Sequence, residues 1–120
     1  MSSISESDET ILAEIEEQTG ASYDPDTENV EFTGVDSDTE QYVSLVEYLA
    51  ENKYIEKSDL PISAARAQTR YLINSTATHE DRDMVRPREV GDSVYLETNH
   101  DSASKARYSG KFIQNYVLNG

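Results

Sequence analysis

The chain has 120 residues, enough for one domain, and its 24 acidic and 10 basic residues give a net charge of −14 at pH 7. It contains no cysteine, which excludes disulfides and thiolate metal sites. No stretch approaches the ~20 apolar residues of a membrane span, and the acidic first residues lack an export-signal pattern, so we expect a cytoplasmic protein without a membrane partner.

The acidic charge has two interpretations, disorder and adaptation to concentrated salt. We favour the second because the acidic residues are dispersed among periodic apolar ones and only 4 of the 10 cations are lysine. Residues 1–63 hold 17 acidic and 2 basic residues, whereas residues 64–120 hold 7 acidic and 8 basic residues. This asymmetry indicates either a binding face in the second half or an ordinary solvated surface.

The first third of the chain is predicted to form a disordered tail and a small acidic unit. Residues 1–6 are the tail. Within the unit, 7–35, a helix runs from a cap at Ser7 or Asp8 to about residue 18 and stops before Gly20. A turn at 24–26 and a short strand at 29–35 follow.

The middle of the chain carries the strongest helix signal. Ser37 and Glu40 form a capping-box pattern that opens a helix over 38–52. Its apolar positions recur at helical spacing and predict a buried stripe of Tyr42, Leu45, Val46 and Leu49. Asp59 followed by Pro61 predicts a further helix to about residue 68.

The second half alternates strands and a helix. We predict strands at 71–73 and 94–96, separated by a polar segment, 75–92, and a final helix capped by Ser102 that ends near residue 117. The fold class is therefore α+β, a small single domain with a helical first half and then a short sheet bracketed by helices.

The sequence offers no catalytic constellation. His79 lies in a polar segment and is predicted to be a solvated loop residue, and His100 beside Asp101 lacks a nucleophile and an oxyanion donor. No phosphate-binding glycine motif is present among the 5 glycines. We therefore expect no enzyme, no cofactor and no metal.

Four motifs in the second half resemble the C-terminal DNA-binding domain of SeqA, the negative modulator of replication initiation. They are Thr69-Arg70 before the strand 71–73, Arg86-Pro87-Arg88-Glu89-Val90, the segment 94–99, in which the aromatic strand ends in Thr98-Asn99, and Lys105 at the start of the last helix. The predicted helices at 38–52 and after Pro61 also fall where that family has helices. The match covers roughly 36–118 and defines the domain 36–120.

The resemblance implies a reader of duplex DNA that carries N6-methyladenine on one strand. By position it places Thr98 and Asn99 at the bases, with His100 and Asp101 beside them in the same loop, and it assigns five residues to the DNA backbone: Thr69, Arg70, Arg86, Arg88 and Lys105. We add Ser102 to the backbone contacts, because a hydroxyl at a helix start can hold a phosphate. The chain departs from the family at His100-Asp101, where the family repeats threonine-asparagine, and at Gln68, where it has arginine.

Two functions follow as expectations. The first is a sequence-specific, duplex DNA-binding regulator of replication, transcription or modification, from a halophile. The second is an acidic protein-interaction module or adaptor without nucleic-acid binding, which uses the acidic N-terminal half. The expected partners are duplex DNA, with a homodimer and a protein partner on that half as further options.

The charge predicts that the folded state needs salt. At 1 M salt the Debye length falls to about 3 Å, so the mutual repulsion of the acidic residues is screened. The melting temperature should rise by about 10 °C or more between 0.1 and 2 M KCl. Differential scanning calorimetry measures this shift, and an unchanged melting temperature would exclude adaptation to salt.

Overall fold

The computed structural model describes residues 6–64, 67–80 and 82–118, with the backbone alone at residues 64 and 67–70. In these ranges three α-helices and two small antiparallel sheets form one α+β domain, which confirms the predicted fold class. The helices are α1 (Glu6–Thr19), α2 (Asp38–Glu51) and α3 (Ser102–Tyr116). The strands are β1 (Ala21–Asp24), β2 (Asn29–Phe32), β3 (Ile62–Ala64), β4 (Ala67–Asn74), β5 (Pro87–Gly91) and β6 (Val94–Glu97). Within the described ranges no helix is both long and apolar enough to cross a membrane.

Helix α2 is the central element of the domain. It packs against α1, α3, the hairpin β1–β2 and strand β5. The predicted stripe is buried as expected, at Tyr42, Leu45, Val46 and Leu49. Ser37 caps the helix, since its hydroxyl accepts a hydrogen bond from the Glu40 N–H at 3.2 Å. One apolar cluster joins this stripe to residues of the sheet and of α3, which include Leu72, Ile73, Val90, Leu96, Phe112 and Ile113.

The N-terminal unit shares this core. Ile15 of α1 and Val30 of β2 belong to the same apolar cluster as α2. Strand β1 was not predicted, and it pairs with β2 through a turn at 25–28, where we predicted a turn at 24–26. The Asp26 N–H of this turn donates to Asp24 Oδ1 at 2.9 Å. Of the predicted tail, residues 1–5 lie outside the described residues, and Glu6 already belongs to α1.

The predicted helix after Asp59 is wrong. Lys57–Asp59 form one turn of 3-10 helix, in which the Asp59 carboxylate accepts from the Glu56 N–H at 2.8 Å. Leu60 is extended, because a residue before proline avoids the helical region. The chain then enters β3, where Ile62 pairs with Ile73 of β4. One helix that supported the resemblance to SeqA is thus absent.

The polar segment 75–92 contains an element that the sequence analysis missed. Pro87 to Gly91 form β5, the edge strand of a four-stranded sheet with the order β3-β4-β6-β5. An edge strand tolerates Pro87 because one side of its backbone has no strand partner. The cap of α3 is also corrected: it is Asp101, whose Oδ1 accepts from the Ser104 N–H at 2.7 Å, and Ser102 is the first helical residue.

The packing of α2 on α3 generates a stability prediction. The Tyr42 and Phe112 rings lie 6.3 Å apart and both are buried. The Tyr42 hydroxyl has no hydrogen-bond partner among the described residues, and burial raises its pKa far above the usual value. Phe112→Ala should lower the free energy of unfolding by about 3–5 kcal/mol, because it leaves a cavity. Tyr42→Phe should lower the free energy of unfolding by no more than about 1 kcal/mol, and can raise it, because the hydroxyl that it removes is unbonded. Urea unfolding in 2 M KCl measures both, and a comparable loss in the two variants would mean that the hydroxyl is bonded.

Candidate nucleic-acid interface

The turn 98–101 joins β6 to α3 and is held at both ends. The Thr98 N–H and hydroxyl both donate to the Arg86 carbonyl oxygen, at 3.1 and 2.8 Å. The His100 N–H donates to the Thr98 carbonyl at 2.8 Å, and Asp101 caps α3. Asn99 lies between these fixed points and is exposed. The turn therefore presents one amide side chain on a constrained backbone.

A buried carboxylate anchors this turn. Glu97 is 3% exposed, and it accepts from the N–H groups of Val85 at 2.7 Å and Arg86 at 2.8 Å. Burial raises the pKa of Glu97, but these two hydrogen bonds together with one from His79 outweigh it and leave the pKa below the ordinary value. The carboxylate is thus ionised at neutral pH and ties the start of β5 to the end of β6.

His79 completes this network and is not the solvated loop residue that we predicted. It is buried, and the Tyr71 N–H donates to its Nδ1 at 2.8 Å. Because Nδ1 accepts, the hydrogen of the ring is on Nε2, which faces Glu97 Oε1 at 3.3 Å. Both ring nitrogens are engaged within the protein, so His79 serves to fasten the loop after β4 to the sheet.

Of the two arginines around Pro87, one is paired. Arg88 on β5 makes a two-pronged ion pair with Glu40 of α2, at 2.8 and 3.3 Å, and about half of each side chain is exposed. Its hydrogen bonds to Glu40 raise the pKa of Arg88 and lower that of Glu40. Arg86 is exposed, and its backbone N–H and carbonyl are bound to Glu97 and Thr98. The basic tripeptide thus presents one exposed arginine and one that is held by an acidic neighbour.

Lys105 and Thr98 face inward. Lys105 is 7% exposed, and its Nζ donates to Thr39 Oγ1 of α2 at 2.8 Å. Thr98 is 6% exposed, with its hydroxyl bound to Arg86. In this arrangement neither side chain is free to contact a nucleic acid, and both fix the relative positions of β5, α2 and α3.

His100 and Asp101 occupy defined positions beside Asn99. The His100 ring lies edge-on against Tyr108 at 5.0 Å, and its buried Nε2 has no partner among the described residues. Burial lowers the pKa of His100, so the ring is neutral near pH 7. Hydrogen bonds from Ser104 lower the pKa of Asp101, which keeps its carboxylate charged at the start of α3.

The contacts bring most of the predicted residues to one corner of the domain. Ion pairs and hydrogen bonds join β5, the turn 98–101 and the first turns of α2 and α3. We call this region the 98–101 corner, and its exposed members are Arg86, Arg88, Asn99, Asp101 and Ser102. The side chains of Thr69 and Arg70 lie outside the described residues, and their backbone belongs to β4.

Sequence reasoning missed the acidic residues of this corner. Glu40 was recognised only as a capping residue, although it pairs with Arg88 across 48 positions of the chain. Glu97 was named only within the motif 94–99 and was given no role. Its position directly after an apolar strand was a usable signal, because a carboxylate that is buried there needs hydrogen-bond donors nearby.

Comparisons with known proteins return no match to this chain among protein-family models, curated proteins and solved structures. The resemblance to SeqA therefore rests on its short motifs. The structure places these motifs on a strand, an edge strand, a turn and a helix start.

The Glu97 network generates a prediction about pH. Glu97→Gln replaces an acceptor oxygen by a donor beside two N–H groups, so it should lower the free energy of unfolding at pH 7 by about 1–3 kcal/mol. Because the folded pKa of Glu97 is depressed, its ionisation contributes stability above the unfolded value of about 4.3, and this contribution is lost as the pH falls through the folded value. The difference in free energy of unfolding between Glu97→Gln and wild type should therefore narrow between pH 6 and pH 3.

Urea unfolding across this pH range measures this difference, with Glu51→Gln, a substitution of an exposed glutamate, as the control. A difference that does not change with pH would contradict the assignment.

Proposed function

We propose that this protein is a sequence-specific, duplex DNA-binding regulator of a halophile, and that the 98–101 corner is its recognition surface. The observation that carries the proposal is the exposed amide of Asn99 on a turn fixed at Thr98 and Asp101. An asparagine amide pairs with adenine through N6 and N7 in the major groove. Such a pair discriminates between bases only when the backbone of the asparagine is fixed. Here the hydrogen bonds of Thr98 and Asp101 fix it on both sides of Asn99.

The phosphate contacts proposed from the structure are fewer than those implied by the resemblance. Arg86 is exposed beside the turn, and Ser102 is exposed at the start of α3, where a hydroxyl can donate to a phosphate oxygen. Arg88 joins them when a phosphate replaces Glu40 as its partner, since both present two oxygens to the guanidinium. Lys105 is bound to Thr39 and contributes its positive charge to the corner without contacting a phosphate.

The acidic body constrains how such a protein binds. With a net charge of −14 and few cations at the corner, counterion release supplies little affinity in molar salt. Base contacts and shape complementarity have to carry the binding, and two or more copies on one DNA add avidity. The methyl-adenine preference implied by SeqA is part of the proposal and is tested with it.

The second candidate is the acidic protein-interaction module without nucleic-acid binding. It is favoured by the pairing of Arg88 with Glu40 and the burial of Lys105, because both cations are engaged within the protein. In this alternative the corner is purely structural and the acidic N-terminal half carries the function.

The test of the first candidate separates base reading from phosphate contact. Wild type and variants are selected on a random duplex library with unmethylated, hemimethylated and fully adenine-methylated pools, at several KCl concentrations at which the protein is folded. Asn99→Ala should relax the sequence preference, at a cost of about 1–3 kcal/mol on the preferred site, and leave the salt slope unchanged. Arg86→Ala should weaken binding to all sequences alike and reduce the salt slope by about one.

Glu40→Gln gives a gain-of-function control in the same assay. It releases Arg88 without touching the turn, so affinity for all duplexes should increase by about two- to fivefold. Enrichment of no sequence in any pool would exclude the DNA reader and favour the second candidate. Enrichment without a methyl preference would keep DNA binding and remove the methyl-adenine component.

A further inference from the structure

A second surface of the domain has a different character from the 98–101 corner. A groove of about 570 Å³ lies between the end of α1, the loop 33–36 and one side of α2. Its lining includes the carboxylates of Glu16, Glu17 and Asp36, and none of its described lining residues is a lysine, arginine or histidine. At its rim lies Val35, whose side chain is fully exposed.

The exposure of Val35 is built into the structure. A single exposed valine is ordinary on a protein surface, but this one is carried by a loop that is fixed on both sides. The Gly34 N–H donates to Gln41 Oε1 at 2.7 Å, and Gln41 Nε2 donates to the Asp36 carbonyl at 2.6 Å. One buried glutamine side chain of α2 thus clamps the residues before and after Val35.

The clamp has a steric requirement that the sequence meets. Gly20, with φ of 80°, and Gly34 flank the Gln41 amide, and a Cβ atom at either position would lie 2.6 or 3.0 Å from Gln41 Oε1. The Thr33 N–H and hydroxyl both donate to the Gly20 carbonyl, at 2.7 and 3.0 Å. These hydrogen bonds fix the loop 33–36, and the loop holds Val35 at the rim of the groove.

The groove is negatively charged, and none of its described lining residues carries a positive charge. Glu16 and Glu17 lie in the last turn of α1, where the helix dipole is negative and cations are the stabilising residues, and this turn has no basic residue. Asp36, on the loop 33–36, adds a third acidic residue to the lining. A bound cation would complement this negative charge, whereas a second copy of this chain would bring a further net charge of −14.

We propose that this groove is a docking site for a partner protein, and that it receives a segment in which lysine or arginine residues flank an apolar side chain. The cations pair with Glu16, Glu17 and Asp36, and the apolar side chain covers Val35. In concentrated salt long-range attraction is screened, so direct ion pairs and the apolar contact carry the affinity. The groove shares no residue with the 98–101 corner. The proposal is thus independent of DNA binding, and it gives the second candidate function a location.

The test uses a phage-displayed library of random linear peptides, selected on the wild-type protein in 0.15 and 2 M KCl. Peptides with cations beside an apolar residue should be enriched. In ¹⁵N–¹H spectra the synthetic form of an enriched peptide should shift the amides of residues 13–20 and 33–36. Val35→Ser should lower its affinity about tenfold, which corresponds to the burial of one valine. Glu16→Gln with Glu17→Gln should lower it by roughly five- to tenfold in 0.15 M KCl and less in 2 M KCl.

Matched controls keep the result specific. Val85→Ser removes the other large exposed apolar side chain among the described residues, and Glu31→Gln with Glu51→Gln removes two exposed carboxylates outside the groove. Both controls should bind the peptide as wild type does, and Val35→Ser should leave the DNA selection unchanged. Equal losses in the controls, amide shifts elsewhere, or the absence of cationic peptides from the selection would overturn the proposal. So would a dimer in sedimentation equilibrium that Val35→Ser abolishes, because the occupant would then be a second copy.

Discussion

The hydrogen bonds of the buried Glu97 carboxylate are the interaction on which the second half of the domain depends. An ionised carboxylate is costly to bury, and here two backbone N–H groups and one imidazole compensate for the lost water. The same contacts set the start of the edge strand β5 against the end of β6. Since Thr98 then binds the Arg86 carbonyl, the position of Asn99 follows from a hydrogen-bond network that begins inside the protein.

The charges of the protein are organised differently in its two halves. In the second half the cations are partly engaged by the protein itself, with Arg88 held by Glu40 and Lys105 buried against Thr39. In the first half Glu16 and Glu17 lie at the negative end of α1, in a groove whose described lining residues include no cation. A surface with unpaired acidic residues and with cations that are engaged within the protein is better suited to bind positive charge than negative charge. Any nucleic-acid contact at the corner must therefore depend on geometry more than on net charge.

The secondary structure predicted for the motif segments is confirmed in part. The strands at 71–73 and 94–96 and the helix that holds Lys105 are present, whereas the resemblance to SeqA itself stays a prediction. The described residues of the predicted helix after Pro61 lie in β3 and β4, and the segment 87–91 is a strand. Local patterns were misleading at Asp59-Leu60-Pro61 because a cap and a proline also suit a single 3-10 turn followed by a strand. Only the pairing of Ile62 with Ile73 distinguishes these outcomes.

The sequence by itself determined the α+β class, the helices α1, α2 and α3, the buried stripe of α2 and the strands around Leu72 and Tyr95, because each follows from periodicity and capping within one segment. Tertiary structure alone decided which charged residues are available. Glu40 and Arg88 are 48 positions apart, His79 and Glu97 are 18 apart, and Lys105 is 66 from Thr39. Ion pairing and burial depend on distance in space, and no local pattern records that distance.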